Sequence, residues 1–358
     1  MVQMGPVFGW GFFCALCFCR TTIFSIAWVH SFCHPDRDWV LQKGSNMPAI
    51  QNLVEHLVDY AGLFPPASLE LPQVIENYAQ YCQGEFSWML GRLIIPASRL
   101  DEFSELASDY LPTSRMEGWV ISALLPAAQP DSDAMQLGFQ NIAVFNQRHQ
   151  DPENGLALVD AIEIKASTAD QIFLTTEALP DAITAFVELP HETDPAGLLA
   201  IMSQCPKRLF AKIRTGGVTR DLIPPANQVA RFIRSCVKHA IGFKATAGLH
   251  HPIRGKYPLT YESGADRGTM YGFINVFAAA CFAYGMDASQ SDLIEILKET
   301  DPSSFEFGDL ALSWKNLDVT TQRISEIRML NAISFGSCSF GEPTFELANL
   351  GLLANIRI

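Results

Sequence analysis

The chain has 358 residues, of which 48% are hydrophobic and 18% are charged. Typical soluble domains are roughly one quarter charged, so the sequence predicts a sizeable buried core, in one large α/β domain or two average ones. The formal net charge of −13 argues against nucleic acid as a partner, since domains that bind phosphate backbones carry a basic face.

The nine cysteines form no recognisable framework. Four lie within the first 33 residues and the others are scattered singly, without the spacing of metal ligands or of a disulfide scaffold. This pattern is typical of a reducing compartment, so the sequence predicts a cytoplasmic protein without a metal. The scattered cysteines are Cys82, Cys205, Cys236, Cys281 and Cys338.

Residues 1–46 differ from the rest of the chain. Two apolar stretches, 6–19 and 23–29, flank Arg20, whose charge would be costly near the middle of a membrane span. The segment also lacks the basic start and the cleavage site of a signal peptide. We interpret it as an upstream or disordered extension, with Met47 as the natural start of a domain over 47–358. A membrane anchor stays open as the alternative.

From residue 52 onward, short apolar runs alternate with amphipathic segments. Eight runs predict strands, at 57–63, 92–95, 119–125, 161–165, 183–189, 209–214, 241–244 and 332–335. Helices are predicted at 71–81, 98–110, 133–147 and 227–239. This alternation indicates a parallel sheet, and eight repeats in about 290 residues favour an α/β fold of the (β/α)8 TIM-barrel type. No G-x-G-x-x-G motif follows a strand, which argues against a dinucleotide-binding fold.

The interval of about 252–331, between the seventh and eighth strands, predicts a helical insertion. It contains a polar, glycine-rich loop at 254–268, a very apolar helical run at 270–284 and helical patterns at 291–299 and 325–330. The apolar run is shorter than the ~20 residues of a transmembrane helix. Two interpretations stay open: a lid or oligomer surface beside the barrel mouth, or a long barrel helix with decoration.

Charged residues concentrate on the fourth to seventh strands, at positions that alternate toward the lumen. Active sites of this fold lie at the carboxyl ends of the strands, and lumen charges are costly unless they pair or react. Lys212 and Lys244 stand at matching positions on consecutive strands, 32 residues apart. An amine beside a second cation is more easily deprotonated, and a neutral lysine attacks carbonyls. The pair therefore predicts a Schiff-base site.

The motifs around these lysines resemble those of deoxyribose-phosphate aldolase and its class I aldolase relatives. The sixth strand reads Lys-Ile-Arg-Thr-Gly at 212–216, where the family has Lys-x-x-Thr-Gly, and the seventh reads Gly-Phe-Lys at 242–244. The eighth strand, at 334–339, is similar to the family's Arg-Phe-Gly-x-Ser-Ser pattern. Glu163 looks like a glutamate version of the family's fourth-strand catalytic aspartate, and Glu188 is similar to the glutamate that ends the fifth strand. The alternative, that both glutamates are only structural ion-pair partners of the lysines, stays open.

The resemblance implies a lyase that cleaves carbon–carbon bonds without a metal or other cofactor. Lys212 would be the Schiff-base nucleophile, Lys244 would stay charged and hold Lys212 neutral, and Glu163 would carry protons through a water molecule. Backbone N–H groups of loops after the late strands would bind a phosphate or other anion. The residues expected to bind substrate are Lys165, Glu188, Arg214, Thr215, Gly216, Thr246, Gly248, His250, Gly336, Ser337 and Ser339.

The sequence also departs from the family pattern. Arg214 replaces a small hydroxyl residue and Lys165 adds a cation, so we expect an acidic or phosphorylated carbonyl substrate. Ala247 replaces a glycine, and His250 and its neighbour replace the residues that normally follow, which puts the phosphate site in question. Cys338 is expected to be a small buried residue, because the sequence places no histidine or aspartate beside it.

Three functions stay open at this level. The first is the Schiff-base lyase. The second is a phosphate-binding isomerase or transferase, in which Glu163 or Glu188 is the base and the lysines only hold an anion. The third is a non-catalytic barrel that binds a partner. A homo-oligomer is compatible with each of them, and Asp59 on the first strand is expected to form hydrogen bonds with lumen groups.

Overall fold

The computed structural model describes residues 48–114, 118–126 and 133–353. The predicted extension over 1–46 and the start at Met47 lie outside the described residues. The first part of the fold consists of α1 (Ala49–Val54), β1 (Val58–Tyr60), α2 (Leu71–Gln83), β2 (Leu90–Pro96), α3 (Leu100–Leu106), β3 (Trp119–Leu124), α4 (Asp133–Arg148), β4 (Ala157–Lys165), α5 (Ala169–Ala178), β5 (Thr184–Glu188), α6 (Ala196–Met202), β6 (Leu209–Arg214), α7 (Ala226–Lys238) and β7 (Phe243–Thr246).

The remaining part closes the barrel after a long excursion. It consists of β8 (Gly255–Pro258), β9 (Arg267–Met270), α8 (Phe273–Met286), α9 (Gln290–Lys298), β10 (Glu306–Phe307), β11 (Ala311–Trp314), β12 (Leu317–Thr320), α10 (Thr321–Leu330), β13 (Ala332–Ser337) and α11 (Gly341–Asn349). The strands β1 to β7 and β13 correspond to the eight runs predicted from the sequence.

These eight strands form one closed parallel barrel in the order β1-β13-β7-β6-β5-β4-β3-β2. Every pair of neighbours is parallel, and helices connect the strands on the outside. The predicted α/β barrel is therefore confirmed. In such a barrel, alternate residues of each strand point into the lumen, and their carboxyl ends meet at one mouth.

The outer helices form because their apolar residues recur at helical spacing. In α7 the buried residues include Val229, Ala230, Ile233 and Cys236, which lie on one face toward the barrel. Helix α5 begins at a capping box, in which the Thr168 hydroxyl accepts a hydrogen bond from the backbone three residues on. The apolar spacing explains why α7 was predicted within a few residues, at 227–239, whereas α5 and α6 were not among the predicted helices.

The segment between β7 and β13 contains strands as well as the predicted helices. Strands β8 and β9 form an antiparallel hairpin, and β10, β11 and β12 form a small antiparallel sheet. The sequence predicted a helical insertion, and these two sheets were missed because their strands are only two to four residues long.

Helix α8 is part of the barrel wall. All residues at 273–283 are buried, and the helix packs against α7, α9, α10 and β13. Phe273 stacks on Phe335 of β13 with ring centroids 5.4 Å apart, and Phe277 stacks on Phe243 of β7 at 6.3 Å. The apolar run at 270–284 is therefore a barrel helix that is buried by other elements of the same chain, and the two small sheets are added to it. No helix in the described ranges has both the length and the apolar character to cross a bilayer.

Candidate active site in the barrel lumen

Polar side chains from seven of the eight barrel strands meet in the lumen. In the register of the barrel, Lys212 lies opposite Glu188 on one side and Lys244 on the other. Strand neighbours on one face lie close enough for their side chains to interact, so this row alone places a carboxylate beside two amines. The seven residues are Asp59, Ser122, Glu163, Glu188, Lys212, Lys244 and Ser334.

Glu163 bridges the two lysines. Its Oε1 atom lies 2.6 Å from Lys244 Nζ, and its Oε2 atom lies 2.9 Å from Lys212 Nζ. The Ser122 hydroxyl donates a further hydrogen bond to Oε1 at 3.0 Å. The two amines thus meet inside the barrel, as expected, but one carboxylate lies between them and contacts Lys212 directly, where the sequence-based interpretation had a water molecule.

Lys244 is fully buried and contacts two carboxylates. Its side chain has no exposed surface, and Nζ donates hydrogen bonds to Glu163 and to Asp59 Oδ2, the latter at 2.5 Å. Asp59 also accepts hydrogen bonds from the Ser334 hydroxyl at 2.7 Å and from the Arg92 backbone N–H at 2.7 Å. A buried charge with all its partners in place is tolerated, whereas an unpaired one is costly.

Lys212 lies closer to the mouth, and its side chain is 6% exposed. Its Nζ atom contacts Glu188 Oε2 at 2.8 Å in addition to Glu163. Burial alone would lower the pKa of Lys212, but the charges of Glu163 and Glu188 outweigh it and raise the pKa above 10.5. The expectation that Lys244 holds Lys212 neutral is wrong for this arrangement, because the intervening carboxylates stabilise the ammonium form.

The pKa values of the carboxylates shift in the opposite direction to that of Lys212. Burial opposes the ionised form of Glu163, yet Lys212 and Lys244 outweigh it and lower the pKa below the ordinary 4.5. The pKa of Glu188 is also lowered, because Lys212, Lys165 and Arg214 together outweigh burial. The mutual contacts therefore favour the ionised forms of Lys212, Glu163 and Glu188.

Two further cations surround Glu188 at the rim. Lys165 Nζ lies 3.7 Å and Arg214 Nε lies 3.9 Å from Glu188 Oε1. The side chain of Lys165 is 60% exposed and that of Arg214 is 33% exposed. Both predicted residues thus sit at the mouth beside the lumen cluster, and they give this entrance a positive edge.

The loops after β6 and β7 are locked together. The Thr215 hydroxyl donates to the Ala247 carbonyl oxygen at 2.6 Å, so this predicted substrate residue is engaged by the backbone of the neighbouring loop. A Cβ atom on Gly216 would lie 2.8 Å from the Gly248 Cα atom, which leaves no room for a side chain. Ala247 has a φ of 58°, in the left-handed region where glycine is favoured.

The loop after β13 is closed mainly by its own hydrogen bonds. The Ser337 hydroxyl accepts from the Ser339 N–H at 3.3 Å, and the Ser339 hydroxyl accepts from the Glu342 N–H at 3.1 Å at the start of α11. A Cβ atom on Gly336 would lie 3.4 Å from the Thr246 hydroxyl oxygen, so β7 and β13 also approach closely. Anion binding by the backbone of these loops stays a prediction.

His250 belongs to a second, partly buried cluster that sequence reasoning missed. Its Nδ1 atom lies 3.2 Å from Glu342 Oε2 and 4.0 Å from Cys338 Sγ, while the Tyr261 hydroxyl donates to Glu342 at 2.7 Å. Burial opposes the charged imidazole, but Cys338 and Glu342 raise the pKa of His250 to about 9. Cys338 is buried as expected, but the expectation that it has no histidine beside it is wrong.

The neighbouring histidine has different partners. His251 Nδ1 contacts Glu346 Oε1 at 2.8 Å, and its ring stacks on Tyr257 with centroids 3.5 Å apart. The rings of His250 and His251 lie 6.4 Å apart. In the part of the chain that the structure describes, no group of three or more His, Cys, Asp or Glu side chains has the geometry of a metal site.

Ser122 and Ser334 are the lumen residues that the sequence-based candidate list lacked. Ser122 is the lone hydroxyl of an otherwise apolar strand, Ser334 lies between apolar residues of β13, and each donates to a carboxylate of the lysine network. A single polar residue in a buried strand is a usable signal, because a buried hydroxyl needs a hydrogen-bond partner. Their spacing alone could not identify which strand supplies that partner.

Fold and site together define a (β/α)8 barrel in whose lumen two lysines, Lys212 and Lys244, both contact Glu163. Comparisons of the chain with protein-family models, with curated proteins and with solved structures found no match. The resemblance to class I aldolases therefore stays a prediction from the motifs, and the chemistry has to be argued from the lumen itself.

Proposed function

We propose that this protein is a lyase in which Lys212 forms an imine with a small carbonyl substrate. The observation that carries the proposal is the direct contact of Lys212 Nζ with Glu163 and Glu188, at 2.9 and 2.8 Å, among side chains that are each 10% exposed or less. Of the two lumen lysines, Lys212 is the one with exposed surface, whereas Lys244 is fully covered.

The proposed reaction begins with proton transfer from the Lys212 ammonium to Glu163 or Glu188. The neutral amine then attacks the carbonyl carbon, and the resulting carbinolamine loses water when the carboxylic acid returns the proton to the leaving hydroxyl. The protonated imine withdraws electrons from the bond between its α- and β-carbons. That bond breaks when a carboxylate takes the proton of a hydroxyl on the β-carbon, and the β-fragment leaves as a carbonyl compound. The enamine left on Lys212 is then protonated and hydrolysed by water, which frees the second product and the amine. Lys244 and Asp59 hold Glu163 in place for these proton transfers.

The rim cations favour an acidic substrate. Arg214 and Lys165 flank Glu188 at the mouth, with 33% and 60% of their side chains exposed. A keto acid or a phosphorylated aldehyde would pair its anionic group with these side chains while its carbonyl reaches Lys212.

The raised pKa of Lys212 favours a second candidate function. A lysine that stays protonated is a fixed cation, and such a cation can stabilise an enolate or a phosphate in an isomerase or transferase. In that reaction Lys212 makes no covalent bond, so an arginine at position 212 would keep substantial activity.

Reductive trapping tests the proposal. The full chain is incubated with one carbonyl compound at a time, pyruvate, acetaldehyde or glyceraldehyde 3-phosphate, in the presence of borohydride. Adducts are located by intact mass and peptide mapping. We expect one adduct on the peptide that contains Lys212. The Lys212→Met variant should lose it, and Lys238→Met, which changes an exposed lysine of α7, should keep it.

Two results would count against the lyase. An adduct that persists in Lys212→Met would mean that another lysine reacts. No trapping with any of the three carbonyls, together with turnover that survives in Lys212→Arg, would favour the isomerase or transferase.

A further inference from the structure

A second cavity lies outside the lumen and is lined by cations. Its volume is about 670 Å³, and its walls come from the loop and first turn that lead into α7, from the β8–β9 hairpin and from the carboxyl end of α9. No Asp or Glu is among the lining residues, and none of the seven lumen residues reaches it. The lining cations are Arg220, Arg254, Lys256, Arg267 and Lys298.

These positive charges are largely uncompensated by the protein. Among the described residues, Arg220 is the one lining cation with a carboxylate in ion-pair distance, Asp266 at 3.4 Å, and both side chains are mostly exposed. Exposed pairs of this kind contribute little. Arg254 lies over the Tyr271 ring at 5.0 Å, and its buried Nη1 atom has no hydrogen-bond partner in the described part of the chain. A chain with a net charge of −13 thus gathers five cations around one cavity.

The walls of the cavity are held by close packing. The Tyr271 hydroxyl donates to the Pro224 carbonyl oxygen at 2.7 Å, which ties the base of the hairpin to the loop before α7. A Cβ atom on Gly268 would lie 2.8 Å from Leu259 and 2.9 Å from Ile223, so the hairpin packs on that loop without space for a side chain. The cations are therefore presented on a preformed surface, which limits the entropic cost of binding.

Part of the cavity lining is apolar, and its residues are together called the apolar wall. Ile223, Pro224, Pro225 and Ile294 contribute to its lining beside the cations. The first residues of α7 also line it, so the positive end of that helix adds to the field of the side chains. A site with one charged and one apolar wall, and a volume within about 300–1,000 Å³, fits a small organic ligand better than an inorganic ion alone.

We propose that this cavity binds a small organic phosphate with two or more negative charges, at a site separate from the barrel lumen. Three of the five cations are arginines, whose planar guanidinium groups form paired hydrogen bonds with phosphate oxygens. The apolar wall would contact the organic part of the ligand. This inference goes beyond the proposed lyase chemistry and does not depend on it.

Calorimetric titration of the full chain with ATP in the absence of divalent metal, and with pyrophosphate, tests the proposal. We expect both probes to bind, with ATP the tighter because it also reaches the apolar wall. Arg267→Gln and Lys298→Gln change exposed residues, so the fold should persist, as circular dichroism would verify. Each should weaken ATP binding roughly tenfold, the typical effect of losing one charged hydrogen bond.

Two control variants make the test specific. Lys238→Gln removes the same charge from an exposed position of α7 that does not line the cavity, and it should leave the dissociation constant unchanged. Arg148→Gln removes an exposed arginine of α4 that does not line the cavity, and it should also leave the dissociation constant unchanged. The proposal is overturned by absence of ATP binding, by equal weakening in Lys238→Gln or Arg148→Gln, or by citrate binding as tightly as pyrophosphate.

Discussion

Lys212 and Lys244 carry the same charge in two different surroundings. Lys244 has no exposed surface and is held by Asp59 and Glu163, whereas Lys212 is slightly exposed and is held by Glu163 and Glu188. The inner lysine therefore pairs with two buried carboxylates, one of which it shares with Lys212. The outer lysine has access to the mouth, and it is the residue on which the proposed chemistry depends.

Removal of the inner lysine should destabilise the barrel strongly. Lys244→Met leaves Asp59 and Glu163 buried with one cation fewer, and breaking a buried ion pair typically costs about 3–5 kcal/mol. Urea unfolding at pH 7 measures the loss. The control, Lys238→Met on the surface of α7, should change the unfolding free energy by no more than about 0.5 kcal/mol. Equal effects in the two variants would contradict the pairing described here.

The protonation of Lys212 should respond to its carboxylate neighbours. Glu163 and Glu188 raise the pKa of Lys212, so Glu188→Gln removes one of the two causes and should lower that pKa. Carbon NMR of protein labelled at the lysine Cε atoms follows the titration, and Lys212→Met identifies the resonance by its disappearance. A midpoint that is unchanged in Glu188→Gln would show that this carboxylate does not govern the amine.

At the scale of elements, the contact between the loops after β6 and β7 aligns the two lysine strands. Gly216 and Gly248 touch through their backbones, so Gly216→Ala places a methyl group 2.8 Å from the Gly248 Cα atom. We expect a loss of about 1–3 kcal/mol in unfolding free energy, as for other overpacked sites. Gly197→Ala in α6 has nothing within 4 Å and should not destabilise the protein. Equal stability of the two variants in urea would contradict this packing.

A second element-scale contact links the loop after β7 to α11. His250 faces Glu342 and Cys338, with Tyr261 and His251 nearby, and the pKa of His250 is raised to about 9 from 6.5. Because the folded state binds the His250 proton more tightly than the unfolded state, protonation stabilises the fold. This contribution is complete below pH 6.5 and is lost as the pH rises through 9. From the shift we expect a loss of roughly 3 kcal/mol over that interval.

His250→Gln provides the check on this pH dependence. Its unfolding free energy between pH 6.5 and 9 should be flatter than that of the wild-type protein, because the residue that titrates has been removed. If both proteins lose the same free energy over this interval, the histidine is not the group responsible.

The elements that the sequence revealed are those with strong local signals. The strands at 209–214 and 243–246 are short buried runs, and α7 repeats apolar residues on one face, so each could be predicted alone. The β8–β9 hairpin escaped prediction because each of its strands has only four residues, too few for the alternation of burial to stand out in the sequence. Its form depends on packing against the loop before α7, and that contact is distant in sequence.

At the scale of the molecule, the lumen network joins strands that are far apart in the chain. Asp59 of β1 contacts Lys244 of β7 and Ser334 of β13, and Glu163 of β4 contacts Lys212 of β6. Side chains along a strand alternate between the lumen and the outside, so the position of both lysines in the lumen could be predicted from the sequence. The carboxylate between them could not be predicted, because its position depends on side-chain reach across a closed barrel.

The lumen network should shape the acid unfolding of the whole barrel. Lysine charges lower the pKa of Glu163 and Glu188 below 4.5, so their stabilising contribution is complete above pH 4.5 and is lost as the pH falls through the lowered values. Glu163→Gln cannot be protonated, so its unfolding free energy should be lower at pH 7 but should fall less steeply from pH 5 toward acid. Urea unfolding across this range measures both slopes, and Lys238→Met should reproduce the wild-type slope. Parallel curves for Glu163→Gln and the wild-type protein would mean that Glu163 is not held ionised by the two lysines.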